Sequence, residues 1–413
     1  MYRLCYVLLA LLFVSPNSFA TDGYFTTGYG TISKGLAGAG IAFYEGSLIN
    51  GNPAATVFLG KQYQIGVDFF NPNRQYTIAG TPGQDAMFPL VGGTIKSDSK
   101  LFLIPSIGAN WMLNEKSSIS ASLFGNGGMN TDYPTATFYD PTSETTGVNL
   151  AQLFGNITYA YKLGEKHSLG LTGVVSYQYF EAKGLASFAD FSSNPAALSG
   201  NGTDNGIGFG FKVGYYGQLT DNFSVGVTYQ SKVYMSEFDD YAGLFAEQGD
   251  FDIPSSWTAG IAWEFVSDLT LVADVKRICY NKINSIGNPM MPNLMQSQLG
   301  GDEGAGFGWD NIMIYKVGLN YAGIDTWEFR CGASFGKNPV PESEVMFNIL
   351  APGVIENQVA LGVSKAVGSK GNKIHVAMNY AMNSSVKGPN PMAQGQTIEV
   401  EMNQFELELG FSF

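Results

Sequence analysis

The chain predicts an all-β fold, a 14-stranded antiparallel transmembrane β-barrel carrying an N-terminal plug, and three observations predict it. First, residues 405–413, Phe-Glu-Leu-Glu-Leu-Gly-Phe-Ser-Phe, alternate apolar and polar without a break and end on an aromatic carboxyl terminus, as a closing barrel strand between lipid and lumen does. Second, 45% of the 413 residues are hydrophobic and only 14% charged, yet no apolar run after residue 20 approaches the length of a spanning helix. Low charge without long apolar runs favours alternating strands. Third, the connections between candidate strands alternate between tight and long, which places short turns on the periplasmic side and long loops outside.

Taken in order, residues 1–20 read as a cleaved signal peptide: Arg3, an apolar core from Val7 to Val14, then Ser18-Phe19-Ala20 before Thr21. Residues 21–60 are rich in glycine and form the candidate plug, since glycine lets backbone pass close to backbone and Asn-Pro imposes a turn. A nucleotide-binding reading of those glycines lacks the preceding strand that it needs. Residues 61–413 then supply about fourteen period-2 segments: 61–71, 101–113, 118–126, 150–162, 168–181, 206–219, 222–237, 253–265, 268–281, 309–321, 326–336, 355–367, 373–385 and 397–413. A barrel of that width needs something inside it besides wall side chains.

Parity assigns the faces. Leu101, Leu103, Ile107, Trp111 and Leu113 point to lipid, as do Trp257, Trp263, Trp327 and Phe329, whose rings near the tight turns suit an interfacial girdle. Inward positions are mixed: Phe102, Ile104, Phe124, Val174, Phe180 and Met402 are apolar, whereas Asp68, Asn110, Gln178, Lys212, Glu264, Asp274, Glu328, Arg330, His375, Asn379, Glu406 and Glu408 are polar. Unpaired charge in a packed interior is costly, so these groups are expected to brace the barrel or its plug through ion pairs. In the last strand the pattern flips upstream of residue 404, with Ile398, Val400 and Met402 apolar and Glu399, Glu401 and Asn403 polar. Either the strand rises above the membrane into water there, or a β-bulge near Asn403 reverses its faces.

The formal net charge of −13 argues against a nucleic-acid partner. Two histidines, His167 and His375, form no metal pattern, and no catalytic constellation, cofactor motif or energy-coupling motif stands out. Beyond the signal peptide, Cys279 and Cys331 either pair in an oxidising periplasm or remain apolar thiols.

Gly35-Leu-Ala-Gly-Ala-Gly40, followed by Asn52-Pro53-Ala54 and a barrel ending in Phe413, resembles the FadL family of outer-membrane channels for hydrophobic compounds, across the whole mature chain. The resemblance implies a hatch built on Gly35, Gly38, Gly40, Asn52, Pro53 and Ala54, capture of an apolar ligand on extracellular loops, and sideways release at an inward kink of the third strand. The kink maps to Gly125, Asn126, Gly127 and Gly128, although these residues also suit the start of a long loop at 127–149. Capture maps to two loops, with Leu185, Phe188, Phe191 and Leu198 on one and Tyr241, Leu244 and Phe245 on the other. Exposed apolar loop surface suits binding, and loop self-packing is the alternative. Family members place the mature N-terminus in the ligand pocket, here Tyr24 and Phe25, where Asp22 would disfavour a carboxylate.

The expected ligand-binding set is therefore Tyr24, Phe25, Phe102, Ile104, Phe124, Phe180, the seven loop residues, Ile398, Val400 and Met402. The expected partners are fatty acids or hydrocarbons, the lipid and lipopolysaccharide around a monomeric barrel, and the barrel-assembly machinery through Phe413. A general diffusion porin and an adhesin or phage-receptor barrel are the competing functions.

Overall fold

The computed structural model describes residues 22–368 and 371–413; the expected signal peptide lies outside them. Among the described residues, strands β1 Gln62–Gly80, β2 Phe102–Asn114, β3 Ser117–Tyr133, β4 Thr146–Lys162, β5 His167–Lys183, β6 Asp204–Thr220 and β7 Phe223–Gln230 form one half of a sheet. β8 Ser256–Val266, β9 Leu269–Ile278, β10 Ile312–Ile324, β11 Trp327–Gly336, β12 Asn357–Val367, β13 Asn372–Pro389 and β14 Gln396–Ser412 form the other half. Each strand pairs antiparallel with its sequence neighbours, and β14 pairs with β1, so the fourteen strands close into a barrel. Two short ribbons, Gly93–Lys96 and Tyr234–Met235, add to the outer ends of β1 and β6. At the seam, Tyr63 and Phe413 exchange backbone hydrogen bonds of 2.8 and 3.0 Å, and their rings stack.

All fourteen expected strands are present, and the largest departures are in length. β1 continues through Asn71-Pro72-Asn73 to residue 80, and β3 continues through the glycines to Tyr133. The glycines are thus inside a strand rather than at the start of a loop. The seven longest strands have 17 to 19 residues, whereas a tilted crossing needs about 9–11. The excess is roughly seven residues, or about 20 Å of wall above the membrane.

That excess explains the flip in β14. The strand pairs with β1 in one unbroken register from Gln64↔Ser412 to Gly80↔Gln396, so no bulge lies near Asn403 on that side. Ile398, Val400, Met402, Glu406 and Glu408 all point inward and are buried. The outward chemistry changes where β1 passes from Phe69 to Asn71, paired with Phe405 on β14. Above this level the outer face carries polar ladders, among them Asn73–Asn403 at 3.1 Å and Gln75–Glu401 at 2.9 Å. Below it, Ile65, Leu103, Ile107, Ile157, Leu171 and Leu409 form an exposed apolar band, with Trp111, Trp263, Phe329 and Phe413 near the tight turns. Glu264, expected among the inward positions, is exposed at the end of β8 beside the Ser267-Asp268 turn, in register with Thr270 and just ahead of a β-bulge at Phe265. Cys279 and Cys331 are both free; the first lies just past the end of β9, and the second lies on β11.

Candidate functional site

Residues 22–60 run through the bore and touch strands around its circumference. Helix α1, Thr31–Gly35, packs on β11 to β14, and a 3₁₀ turn at Pro53–Phe58 packs on β3 to β6. Asn52 caps that turn: its Oδ1 accepts from the Ala54 amide at 3.0 Å, while its Nδ2 donates to the carbonyls of Ile41 and Tyr215. Pro53 at the first position of the turn has no amide to leave unsatisfied. The segment sits directly on wall glycines. A Cβ on Gly170 would lie 2.3 Å from the Pro53 carbonyl carbon, one on Gly214 would lie 2.3 Å from Asn52 Oδ1, and one on Gly332 would lie 2.3 Å from the Leu36 carbonyl carbon.

Charge fixes the same segment, as the inward polar residues suggested. Lys34 of α1 pairs with Asp68 on β1 and Glu406 on β14, with Glu408 at 3.9 Å. Asp22 lies between Lys276 at 2.5 Å and Lys316 at 3.0 Å. Asp22 is therefore neutralised, which corrects the expectation that it would repel a carboxylate nearby. On the wall, Glu328 pairs with Arg330 and Lys373. His375 hydrogen-bonds Ser364 and Ser412 at 2.6 and 2.8 Å, and all three are buried.

β3 is irregular at its glycines. β2 and β3 pair only as far out as Ser106↔Phe124, and above that pair their ladder stops. Against β4, the register shifts between Gly125 and Gly127, leaving Asn126 as the extra residue of a bulge. Asn126 is buried and bonded on both sides, accepting from Tyr29 Oη at 2.7 Å and donating to Gln152 at 3.0 Å. Gln152 donates to Gln178 at 3.2 Å, and Gln178 donates to the Phe251 carbonyl at 3.1 Å. The N-terminal peptide pairs with the bulge as a short β-bridge, Thr26 N to Asn126 O at 3.1 Å and Gly128 N to Tyr24 O at 3.0 Å. Such an approach requires glycine, since a Cβ on Gly127 would lie 2.2 Å from the Tyr24 carbonyl oxygen.

Beside the bulge is a cavity of about 350 Å³, at the small end of the range for ligand sites. Of the residues expected from sequence, it brings together Tyr24, Phe25, Phe102, Ile104, Met402, Gly125, Gly127 and Gly128. Leu103 and Tyr177, which point outward on the wall, also line it. Lumen-facing and outward-facing wall residues thus line one space beside the point where β2 and β3 part. Sequence reasoning did not single out Arg74, Met129, Leu150 or Trp309, which line it as well. Arg74 was hidden because residues 72–100 read as loop, and Trp309 because it read as the first residue of a wall strand at 309–321, whereas β10 begins only at Ile312.

Other expected residues are placed elsewhere. Phe124 packs between Tyr29 and Phe154 below the large cavity. Ile398 and Val400 point inward as expected but belong to the apolar packing of the rim and do not line the cavity. Phe180, Leu185, Phe188, Leu198, Leu244 and Phe245 surround a second apolar space of only about 40 Å³. Tyr241 is buried beside it, donating from its hydroxyl to Gly202 O and accepting from the Ala182 amide, and Phe191 is half-buried against the same core. The loop aromatics are therefore mostly covered rather than exposed, because Phe180, Phe238, Tyr241, Phe245 and Phe251 pack on one another and remove their own apolar area from water. A third, polar chamber of about 70 Å³ lies within the plug segment, lined by Lys212, Asp274, Lys276 and Lys316.

Solved structures share this architecture. The toluene transporter TodX of P. putida superposes with a TM-score of 0.69 at 17% identity, covering 94% of this chain and 98% of that one. A Pseudomonas aeruginosa FadL homologue gives 0.70 at 16% identity, covering 95% and 99%, and the Ralstonia pickettii toluene transporter TbuX gives 0.63 at 16% identity, covering 94% and 98%. No curated protein sequence matches the chain. The family model for outer membrane protein transport proteins (OMPP1/FadL/TodX) matches residues 8–407, and the chain belongs to that family of outer-membrane channels for hydrophobic compounds, which are transporters and not enzymes.

Proposed function

We propose that this channel takes a hydrophobic molecule from the extracellular loops into the 350 Å³ cavity and releases it sideways into the membrane between β2 and β3. The observation that carries the reading is that one space is lined by lumen-facing Phe102, Ile104 and Met402 and by outward-facing Leu103 and Tyr177. An apolar solute that moves along this route stays out of water, so its transfer needs no aqueous bore.

Residues 21–60 act as the hatch. Contacts with wall glycines and the ion pairs of Lys34 and Asp22 hold it in the bore, and Tyr24 and Phe25 place its first turn against the cavity. Arriving cargo displaces these two rings. The loop residues Leu185, Phe188, Leu198, Leu244 and Phe245 form the entry surface, which opens around the small upper space. In the cell, a signal peptide at residues 1–20 directs export, Phe413 engages the barrel-assembly machinery, and a monomer sits among lipid and lipopolysaccharide.

Two measurements test this reading. Purified barrel inserted in planar bilayers should show little steady ion conductance, and cells that express it should accumulate a labelled hydrophobic compound faster than cells without it. Large steady conductance would favour a diffusion porin. Mass spectrometry of molecules that co-purify with the barrel identifies the cargo directly.

A further inference from the structure

Three lysines line the polar chamber of about 70 Å³: Lys212 from β6, Lys276 from β9 and Lys316 from β10. Two carboxylates answer them among the described residues. Asp22 lies between Lys276 and Lys316. Asp274 accepts from the amides of Gly40 and Ile41 at 2.7 and 2.9 Å, and its other oxygen lies over Gly260 on β8. Three cations against two anions leave one positive charge over, and Lys212 carries it. This side chain is buried, and no carboxylate pairs with it among the described residues. Its ammonium donates instead to the Asn50 carbonyl at 2.7 Å and to Asn50 Oδ1 at 3.3 Å.

Between Lys212 and Lys276 the wall offers neutral polar groups. Lys212 is in register with Gln230 on β7, Thr228 with Thr258 on β8, and Thr258 with Lys276 on β9. Thr228 and Gln230 are only 4% and 6% exposed, and both line the chamber together with Thr258. Among the described residues, none of these three side chains hydrogen-bonds another protein group. An ammonium without a counter-ion and unanswered hydroxyl and amide donors, buried around one space, are the groups that hold an anion. The space exceeds several-fold the roughly 10–15 Å³ that one water needs.

We infer that the chamber binds a small monovalent inorganic anion of chloride size, held by the Lys212 ammonium, with Thr228, Thr258 and Gln230 donating from the wall. One surplus positive charge sets the valence, since water would fill the space but leave that charge unpaired. Lys212 also grips Asn50, and Gly51 lines the same space. The ion therefore fastens the second half of the plug to β6 and β7, across the barrel from the Lys34 ion pairs on β1 and β14. Of the residues that line the chamber, only Phe25 also lines the large apolar cavity. The site is thus independent of the identity of the cargo.

The test uses the whole barrel in lipid nanodiscs at constant ionic strength, with sodium chloride or bromide exchanged for sodium gluconate, whose anion is too large for the chamber. Fragment-resolved hydrogen exchange over residues 40–55, where the amides of Gly40, Ile41 and Ala54 are hydrogen-bonded, should slow at least about fivefold in either halide. Lys212→Met should abolish that dependence and Lys212→Arg should keep part of it. Thr228→Val should raise the half-saturating bromide concentration at least about threefold. Crystals grown in bromide should show an anomalous peak within hydrogen-bond distance of Lys212 Nζ. Equal exchange in halide and gluconate, or no peak at Lys212, overturns the proposal and leaves water as the occupant. A halide effect that survives Lys212→Met overturns it too, since that result identifies an adventitious ion only. Heat-modifiable gel mobility reports the folding of each variant; if Lys212→Met does not fold, the wild-type comparison, the bromide peak and Thr228→Val decide.

Discussion

Replacing Gly127 with alanine adds one methyl group at the point where the N-terminal peptide meets the bulge of β3. The new Cβ would lie 2.2 Å from the Tyr24 carbonyl oxygen and 3.0 Å from the Phe25 Cα. Peptide or strand must therefore move by about an ångström or more to reach ordinary contact distance. That movement breaks the two hydrogen bonds of the bridge, Thr26 N to Asn126 O and Gly128 N to Tyr24 O. At about 1 kcal/mol net for each bond, the docked state loses about 2 kcal/mol, or roughly a 30-fold shift toward the undocked peptide. Hydrogen exchange resolved by fragment should show the amides of Thr26 and Gly128 exchanging about ten to thirty times faster. Amides of β5 and β6, which among the described residues make no hydrogen bond to residues 22–28, should not change, and neither should heat-modifiable mobility. Unaltered exchange at Thr26 and Gly128 would refute the docking of the peptide on the bulge.

Gly125→Leu directs its side chain at Ile104, whose Cγ2 lies 2.5 Å from a Cβ at that position; uptake of the hydrophobic compound should fall by about fivefold or more while the barrel still folds. Lys34→Met leaves Asp68, Glu406 and Glu408 buried without their cation, so thermal unfolding followed by gel mobility should show a loss of about 3–5 kcal/mol. Adding Asp68→Asn and Glu406→Gln should recover most of that loss. The loop carboxyl of Asp250 is pushed up to about 7 by burial and by the Asp252 charge beside it, against about 3.9 in the unfolded chain. The folded loop therefore holds a proton that the unfolded chain has lost, and the resulting stability is full below about pH 4 and gone once pH rises through about 7. Limited proteolysis within 231–255 should accelerate from pH 5 to pH 8 in wild type, relative to an unrelated substrate, and Asp250→Asn should flatten the change.

Much of the fold was legible because a barrel writes its period into every strand. Alternation located fourteen strands and pointed Ile398, Val400 and Met402 inward, where they are buried. The ends of β1 were not legible, because Asn71-Pro72-Asn73 carries turn chemistry. Pro72 is tolerated because it follows the last β1–β2 pair, Phe70↔Phe102, where a missing amide leaves no β2 partner unsatisfied. Arg74 was lost with that stretch. The seats for the plug were hidden for a different reason: Gly170, Gly214 and Gly332 are scattered among 52 glycines, and only the fold brings them under Asn52, Pro53 and Leu36. Lys34 was likewise invisible as a brace, since its partner Glu406 on β14 lies 372 residues away in the chain. For the loops, the sequence showed apolar residues but not whether they covered one another.

Sideways release between β2 and β3 can be tested with a reversible staple across the parting of the two strands. The Cβ of Ile104 lies 3.9 Å from a Cβ placed on Gly125, the separation that a disulfide spans. In a Cys279→Ser, Cys331→Ser background, the pair Ile104→Cys and Gly125→Cys should cross-link under oxidising conditions and tie the lips of the opening together. Uptake of a labelled hydrophobic compound should then fall by about fivefold or more in oxidised cells and return on reduction. Equal uptake before and after reduction, with the cross-link verified by mass spectrometry, would contradict the lateral route.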